Sequence, residues 1–303
     1  MSALVWLVAL GAIFAVGSEL WFYKVALNSE LGVLLLAYGL SALTMTAVLT
    51  RWPPRDIWGV YLGGALFGFL VEGIVVPTVY VLFPFQMIWT PLAWHALLTV
   101  LVGWWVYRRV MARGLWWQGA ALNLCIGVFI GLWGAYLWNA DESGSELVWT
   151  WQPTRAFAVQ MGAGLGAFVG AHLLLDVAAR WPARMPAWVI WALGGLVTLV
   201  FCTAWLPAYF PVSLALPVVI AVTLWALARG QGDGAWFGAA MALQVPRARY
   251  LWALLIWGGA VGAYHLIATL RLPLEMNLPV AGITVPVSLV MWLYGLWRGL
   301  RVG

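Results

Sequence analysis

Four ionisable side chains, Glu19, Glu72, His95 and His265, stand inside apolar runs of this chain. Placing such a group in hydrocarbon costs a few kcal/mol, so each is a functional candidate by default. Carboxylate oxygens and imidazole nitrogens suit two chemistries. They can coordinate zinc or ferrous iron, with Glu72, His95 and His265 as the ligand candidates, or they can form a carboxylate–imidazole pair that relays protons. No HExxH, paired acidic motif or histidine-rich run singles out a metal, and residues on four separate helices offer no spacing to check. His95 and His265 lie at comparable depth and are the pair that could bind a haem axially. The plainer reading is that each polar group snorkels to the interface or hydrogen-bonds locally, and it is weakest for Glu72, deepest in its apolar run.

A second constellation, His172, Asp176 and Arg180, is spaced four residues apart and shares one helix face. This spacing predicts an Asp176–Arg180 helix-end salt bridge, with Asp176 orienting His172 as the alternative. Gly162, Gly166 and Gly170 repeat on the same helix, as do Gly64 and Gly68, Gly127 and Gly131, and Gly258 and Gly262 elsewhere. Small residues in such rows let helix backbones approach closely, so the rows are expected to pack. Gln118, Asn123 and Gln160 are read as bonds between helices. There is no GxxxxGK[ST], GxSxG or CaaX motif, so neither ATP hydrolysis nor serine-hydrolase chemistry has a basis in the sequence.

The elements that must position these residues follow from composition. Of 303 residues 65% are apolar and 8% charged, against roughly 25% charged in soluble domains, and the mean hydropathy is +0.95. A soluble enzyme, a disordered chain and a barrel with a polar lumen are all excluded by that balance. The expected fold is all-α: one polytopic transmembrane bundle over 1–303, with no separate extramembrane domain. At about 20 residues per span, hydropathy gives ten helices, near 3–23, 31–50, 57–83, 91–110, 115–138, 153–179, 187–206, 211–227, 250–270 and 279–297. No Lys or Arg precedes the first apolar run and no small-residue cleavage site precedes Glu19, so it reads as a helix and not a signal peptide. Pro77, Pro217 and Pro286 predict kinks, and 235–243 predicts a short interfacial helix. Cys125 and Cys202 read as unpaired packing residues.

Alternating the loops gathers Arg51, Arg55, Arg108, Arg109, Arg113, Arg180, Arg184, Arg229, Arg247, Arg249, Arg298 and Arg301 on one side and leaves Lys24, Arg155 and Arg271 on the other. The positive-inside rule then places both termini in the cytoplasm of a bacterial inner membrane and the 139–152 loop outside. The net charge of +5 is explained by these helix ends, so no nucleic-acid partner is expected; the partners are the lipid bilayer and a small-molecule or lipid substrate. Tryptophans such as Trp21, Trp52, Trp89, Trp138, Trp149 and Trp181 are expected as interfacial belts. At about 1.5 Å per residue, Glu19, Glu72, His95 and His265 all reach the outer third of the membrane, where they can form one cluster.

Arg51-Trp52-Pro53 and Arg180-Trp181-Pro182 suggest a weak parallel duplication of helices two to four (31–110) in helices six to eight (153–229), with Glu72 aligned to Cys202. The leading expectation is a proton-coupled carrier of a small molecule or lipid. Its rivals are an intramembrane enzyme, metal-dependent or not, acting on a lipid or isoprenoid, and a structural or cofactor-carrying subunit of a membrane complex. A carrier should show two pseudo-symmetric halves around a central cavity. An enzyme should hold its Glu and His within about 3 Å of a common point.

Overall fold

The computed structural model describes residues 2–24, 29–139, 151–179, 186–272 and 275–301. Among these the fold is a polytopic all-α bundle with no strands. Nine helices are long and apolar enough to cross a membrane: α2 (Glu30–Arg51), α3 (Ile57–Val75), α4 (Phe85–Arg113), α5 (Trp116–Trp138), α6 (Thr154–Ala178), α7 (Trp188–Ala208), α8 (Val212–Arg229), α10 (Arg247–Leu270) and α11 (Asn277–Arg301). The shorter apolar α1 (Leu4–Leu20) is the tenth, and α9 (Ala235–Met241) is the short helix expected between the eighth and ninth spans. The outer flank is apolar, with Trp188, Trp191 and Leu278 each more than two-thirds exposed. A water-soluble monomer rarely exposes patches of that size, whereas a multi-pass membrane protein must.

Close backbone approach fixes which helices are neighbours. A Cβ at Gly68 would lie 2.3 Å from the Pro91 carbonyl oxygen, and one at Gly64 would lie 3.0 Å from Ala96 Cα, so α3 and α4 pack directly. Gly127 and Gly131 approach the Ile256 and Ala260 carbonyls equally closely, seating α5 on α10, and Gly11 faces Gly39 between α1 and α2. At the N-terminus of α3, Asp56 accepts from the Trp58 and Gly59 amides and pairs with Arg298 at 3.0 Å. That cap satisfies amides that the first turn leaves unpaired and ties α3 to the end of α11.

Several expectations need correction. Cβ atoms at Gly166 and Gly170 would meet nothing within 4 Å, and Gly162 touches only Trp257; the packing glycine of α6 is Gly164, against Trp21. The row at four-residue spacing therefore lies on the outward face of α6. Gly258 and Gly262 likewise meet nothing, while Gly259 between them contacts α5. The third span stops at Val75 and not at 83, because Pro77 removes a donor and a short 3-10 turn, Thr78–Tyr80, follows. Pro217 sits in the first turn of a helix beginning at Ala215, where its missing N–H is harmless; Pro286 alone lies inside a helix. Trp21 and Trp138 are buried in the bundle, and both cysteines are free and exposed. Trp149, Trp181, Arg180, Arg184 and most of the 139–152 loop lie outside the described residues. The duplication is not confirmed.

Candidate functional site

Three of the four candidate residues sit on a shared local irregularity, and His265, in regular α-helix, does not. Val16–Leu20, Val71–Val75 and Trp89–Val106 are wound as π-helix, and they carry Glu19, Glu72 and His95 respectively. Such segments recur at functional sites because they displace side chains from the regular register. Helix α3 also ends one turn past Glu72, which frees backbone carbonyls that need partners in the absence of water. Tyr80 donates to the Gly73 carbonyl at 2.8 Å and Trp205 Nε1 to the Ile74 carbonyl at 2.8 Å. The turn that presents Glu72 is thereby fixed from two sides.

Gly68 lies one turn before Glu72 and Pro91 one turn before His95, so the tight Gly68–Pro91 contact carries both side chains to the same place. Glu72 Oε1 and His95 Nε2 are 2.6 Å apart, and the Thr78 hydroxyl donates to Glu72 Oε2. His95 is fully buried, edge-on to Phe67 and Tyr38, with no hydrogen-bond partner at Nδ1. On the neighbouring wall Tyr38 donates to Glu19 Oε1 at 2.6 Å, and the Ser18 hydroxyl lies 3.1 Å from the Tyr38 oxygen. Trp94 Nε1 donates to the Ser18 carbonyl at 3.2 Å, joining α4 to α1.

These groups surround a pocket of about 420 Å³ whose lining includes Glu19, Tyr38, Glu72, Thr78, Trp89 and Trp133. Its floor residues Tyr38, Glu72 and Trp94 are buried, and its rim residues Tyr23, Val76, Phe85 and Leu278 are exposed. Glu72 faces this space, and His95 stands behind it. Of the four sequence candidates the structure brings together Glu19, Glu72 and His95. His265 is the exception: its helix α10 packs on α5, and it does not line the pocket. The haem reading therefore loses its geometry, since Nε2 of His95 is already taken by Glu72 and its proposed partner lies elsewhere. No group of three or more His, Cys, Asp or Glu side chains that could hold a metal occurs among the described residues.

At the opposite end of the bundle the second constellation is rearranged. Asp176 pairs with Arg108 at 2.7 Å, and Arg180, its expected partner, lies outside the described residues. The Asp176 carboxylate also accepts from the Val245 amide at 3.2 Å and the Tyr250 hydroxyl at 2.7 Å. Arg108 further donates to the Leu243 carbonyl. His172 is not oriented by Asp176; its Nδ1 lies 3.5 Å from Arg108, and its ring packs between Phe168 and Tyr107. Asn123 bonds Tyr107 of α4 at 3.2 Å, and Gln160 bonds the Leu20 carbonyl at 2.6 Å, so two of the three uncharged candidates do join helices. Tyr38, Thr78, Arg108 and Tyr250 are the participants that sequence reasoning missed.

No family model matches the sequence, and no curated protein and no solved structure matches it. What the fold and site define is a multi-pass membrane bundle with a polar-floored pocket at one end.

Proposed function

We propose that the pocket is the active site of an intramembrane enzyme, in which the Glu72–His95 pair exchanges a proton with a lipid- or isoprenoid-class substrate. The observation that carries this reading is the 2.6 Å contact between Glu72 and His95 at the floor of an aromatic-walled pocket. The pocket volume falls within the range of small-molecule sites, about 300–1,000 Å³. Glu72 faces the pocket and takes or gives the proton; His95, bonded to it through Nε2, holds Glu72 in place. A proton that leaves one substrate atom for Glu72 returns to another, so the step requires no oxidant or reductant. The arginine asymmetry supports placing both termini on the cytoplasmic side of a bacterial inner membrane, with the pocket facing outward.

A proton-coupled carrier is the second reading. It is favoured by two separate cavities, the Glu72 pocket at one end and a groove past Asp176 and Tyr250 at the other, with the buried Arg108 beside the second. The experiment that separates the two incubates the reconstituted full chain with a lipid extract from cells that lack it. Conversion of one species to a product of different mass or retention time, absent with Glu72→Gln, supports the enzyme. Movement of an unaltered species across the vesicle supports the carrier, and neither change contradicts both.

A further inference from the structure

We propose that the pocket takes the uncharged end of a neutral lipid and rejects the phosphorylated form of the same lipid. The inference rests on the reading above for the identity of the site, and it narrows the substrate class.

Charge is the first argument. Two carboxyl side chains, Glu19 and Glu72, line the pocket, and no Lys or Arg lines it among the described residues. A phosphate is normally held by guanidinium or ammonium groups or by a cluster of free amides at a helix start. The helix starts that border the pocket, Phe85 of α4 and Asn277 of α11, lie at its exposed rim, so at the floor a phosphate would meet carboxyl oxygens in a space whose walls screen charge poorly. The best-buried arginine among the described residues, Arg108, lies at the far end and is committed to Asp176.

The second argument is that neither carboxyl calls for a cationic ligand. Glu72 is matched by His95 and bonded by Thr78, and Glu19 is bonded by Tyr38. The chain supplies these partners itself, so the polar floor has donors and acceptors for a hydroxyl or carbonyl without needing a charged one.

The third argument is access. Val76, Leu82, Phe83, Phe85 and Leu278, at or beside the rim, are exposed apolar side chains, from 40% to 72%. In a membrane bundle such a rim faces acyl chains, so a hydrophobic molecule reaches the floor without passing through water. Trp89 and Trp133, stacked at 6.3 Å between centroids, continue that apolar wall inward. A neutral isoprenoid alcohol fits all three features; its phosphate ester fits only the last.

The test uses the full chain in detergent with farnesol, farnesyl phosphate or farnesylamine at equal concentration, and counts adducts by native mass spectrometry. The expected result is a farnesol adduct at least about tenfold more abundant than the phosphate adduct, with the amine at or below the alcohol. Val75→Trp, which fills the lining, should abolish the farnesol adduct. Glu19→Gln, which removes one carboxylate, should narrow the preference over the phosphate. A preference below about tenfold, an amine adduct exceeding the alcohol, no farnesol adduct, or a farnesol adduct undiminished by Val75→Trp would each overturn the proposal, as would an unchanged preference in Glu19→Gln. Overturning it leaves the proton-exchange reading standing, because that reading is judged on lipid conversion by Glu72→Gln. Failure of conversion with the neutral preference intact would remove only the acid–base reading.

Discussion

Each end of this bundle holds a carboxylate, Glu72 buried and Asp176 half-buried, and the two differ in what balances them. At one end Asp176 is held by Arg108, the Val245 amide and the Tyr250 hydroxyl. At the other Glu72 is held by His95 and Thr78 beside a pocket. Arginine keeps its charge at every accessible pH, so Asp176 faces a permanent cation. An imidazole has one nitrogen that can donate and one that can accept, so Glu72 faces a partner through which a proton can move. An open groove of about 670 Å³ passes Asp176 and Tyr250 as well. Exposure to a cavity therefore does not separate the two ends; the identity of the counter-charge does.

The strongest way to break that comparison is to remove the fixed charge. Arg108→Met leaves Asp176 without its cation, and the expected loss is about 1.5–3 kcal/mol, the worth of a hydrogen bond to a charged group, because Asp176 keeps the Val245 and Tyr250 donors and borders an open groove. Thermal unfolding in detergent should show it, and Arg108→Met combined with Asp176→Asn should recover part of the loss. A single variant as stable as the parent would mean that the cluster holds nothing together.

Gly68→Ala perturbs the pocket end alone. Its Cβ would fall 2.3 Å from the Pro91 oxygen, which is backbone and cannot swing aside. The helices must part, and the Glu72–His95 contact with them. The expected outcome is lost activity with a stability cost of about 1–3 kcal/mol, as for other overpacked sites. Unaltered activity would show that the 2.6 Å contact is not required.

Tyr38→Phe should do less. It keeps the ring against Phe67 and His95 but removes the hydroxyl that bonds Glu19. A typical net hydrogen bond is worth about 0.5–1.5 kcal/mol, so unfolding should shift by that order with activity reduced and not abolished. Parent-like stability would indicate that Glu19 finds another donor.

Gly166→Leu belongs to neither end and is expected to change stability by less than about 0.5 kcal/mol, as for surface substitutions. The side chain would extend from the outward face of α6. A large loss of assembly, measured by size-exclusion chromatography, would reveal a contact on that face which the single chain does not make.

The helix count was legible because it depends only on run length and polarity, and Glu72 stood out because one carboxyl deep in an apolar run is costly by itself. Distance along a helix carried some of the site too: Glu72 meets His95, and Glu19 lines the same pocket. What depth cannot give is azimuth or neighbour. His265 is expected from the sequence at comparable depth, but α10 packs on α5 and His265 does not line the pocket. The glycine row of α6 failed for the same reason, since spacing defines a face without saying what lies against it. Arg108 looked like an ordinary helix-end arginine, because its burial comes from the segment around Leu243–Val245 folding over it, a non-local event. Tyr38 carried a faint signal, a phenol in mid-helix whose hydroxyl must find a partner.

The most direct measurement is the lipid profile of cells whose only copy of this protein carries Glu72→Gln, compared at equal amounts of folded protein with cells carrying the parent and cells carrying none. The substitution keeps the side-chain shape and removes the exchangeable proton. The account predicts that the Glu72→Gln profile coincides with that of cells lacking the protein, with one lipid or isoprenoid species accumulating in both. A profile indistinguishable from the parent's would contradict the claim that Glu72 exchanges a proton with the substrate.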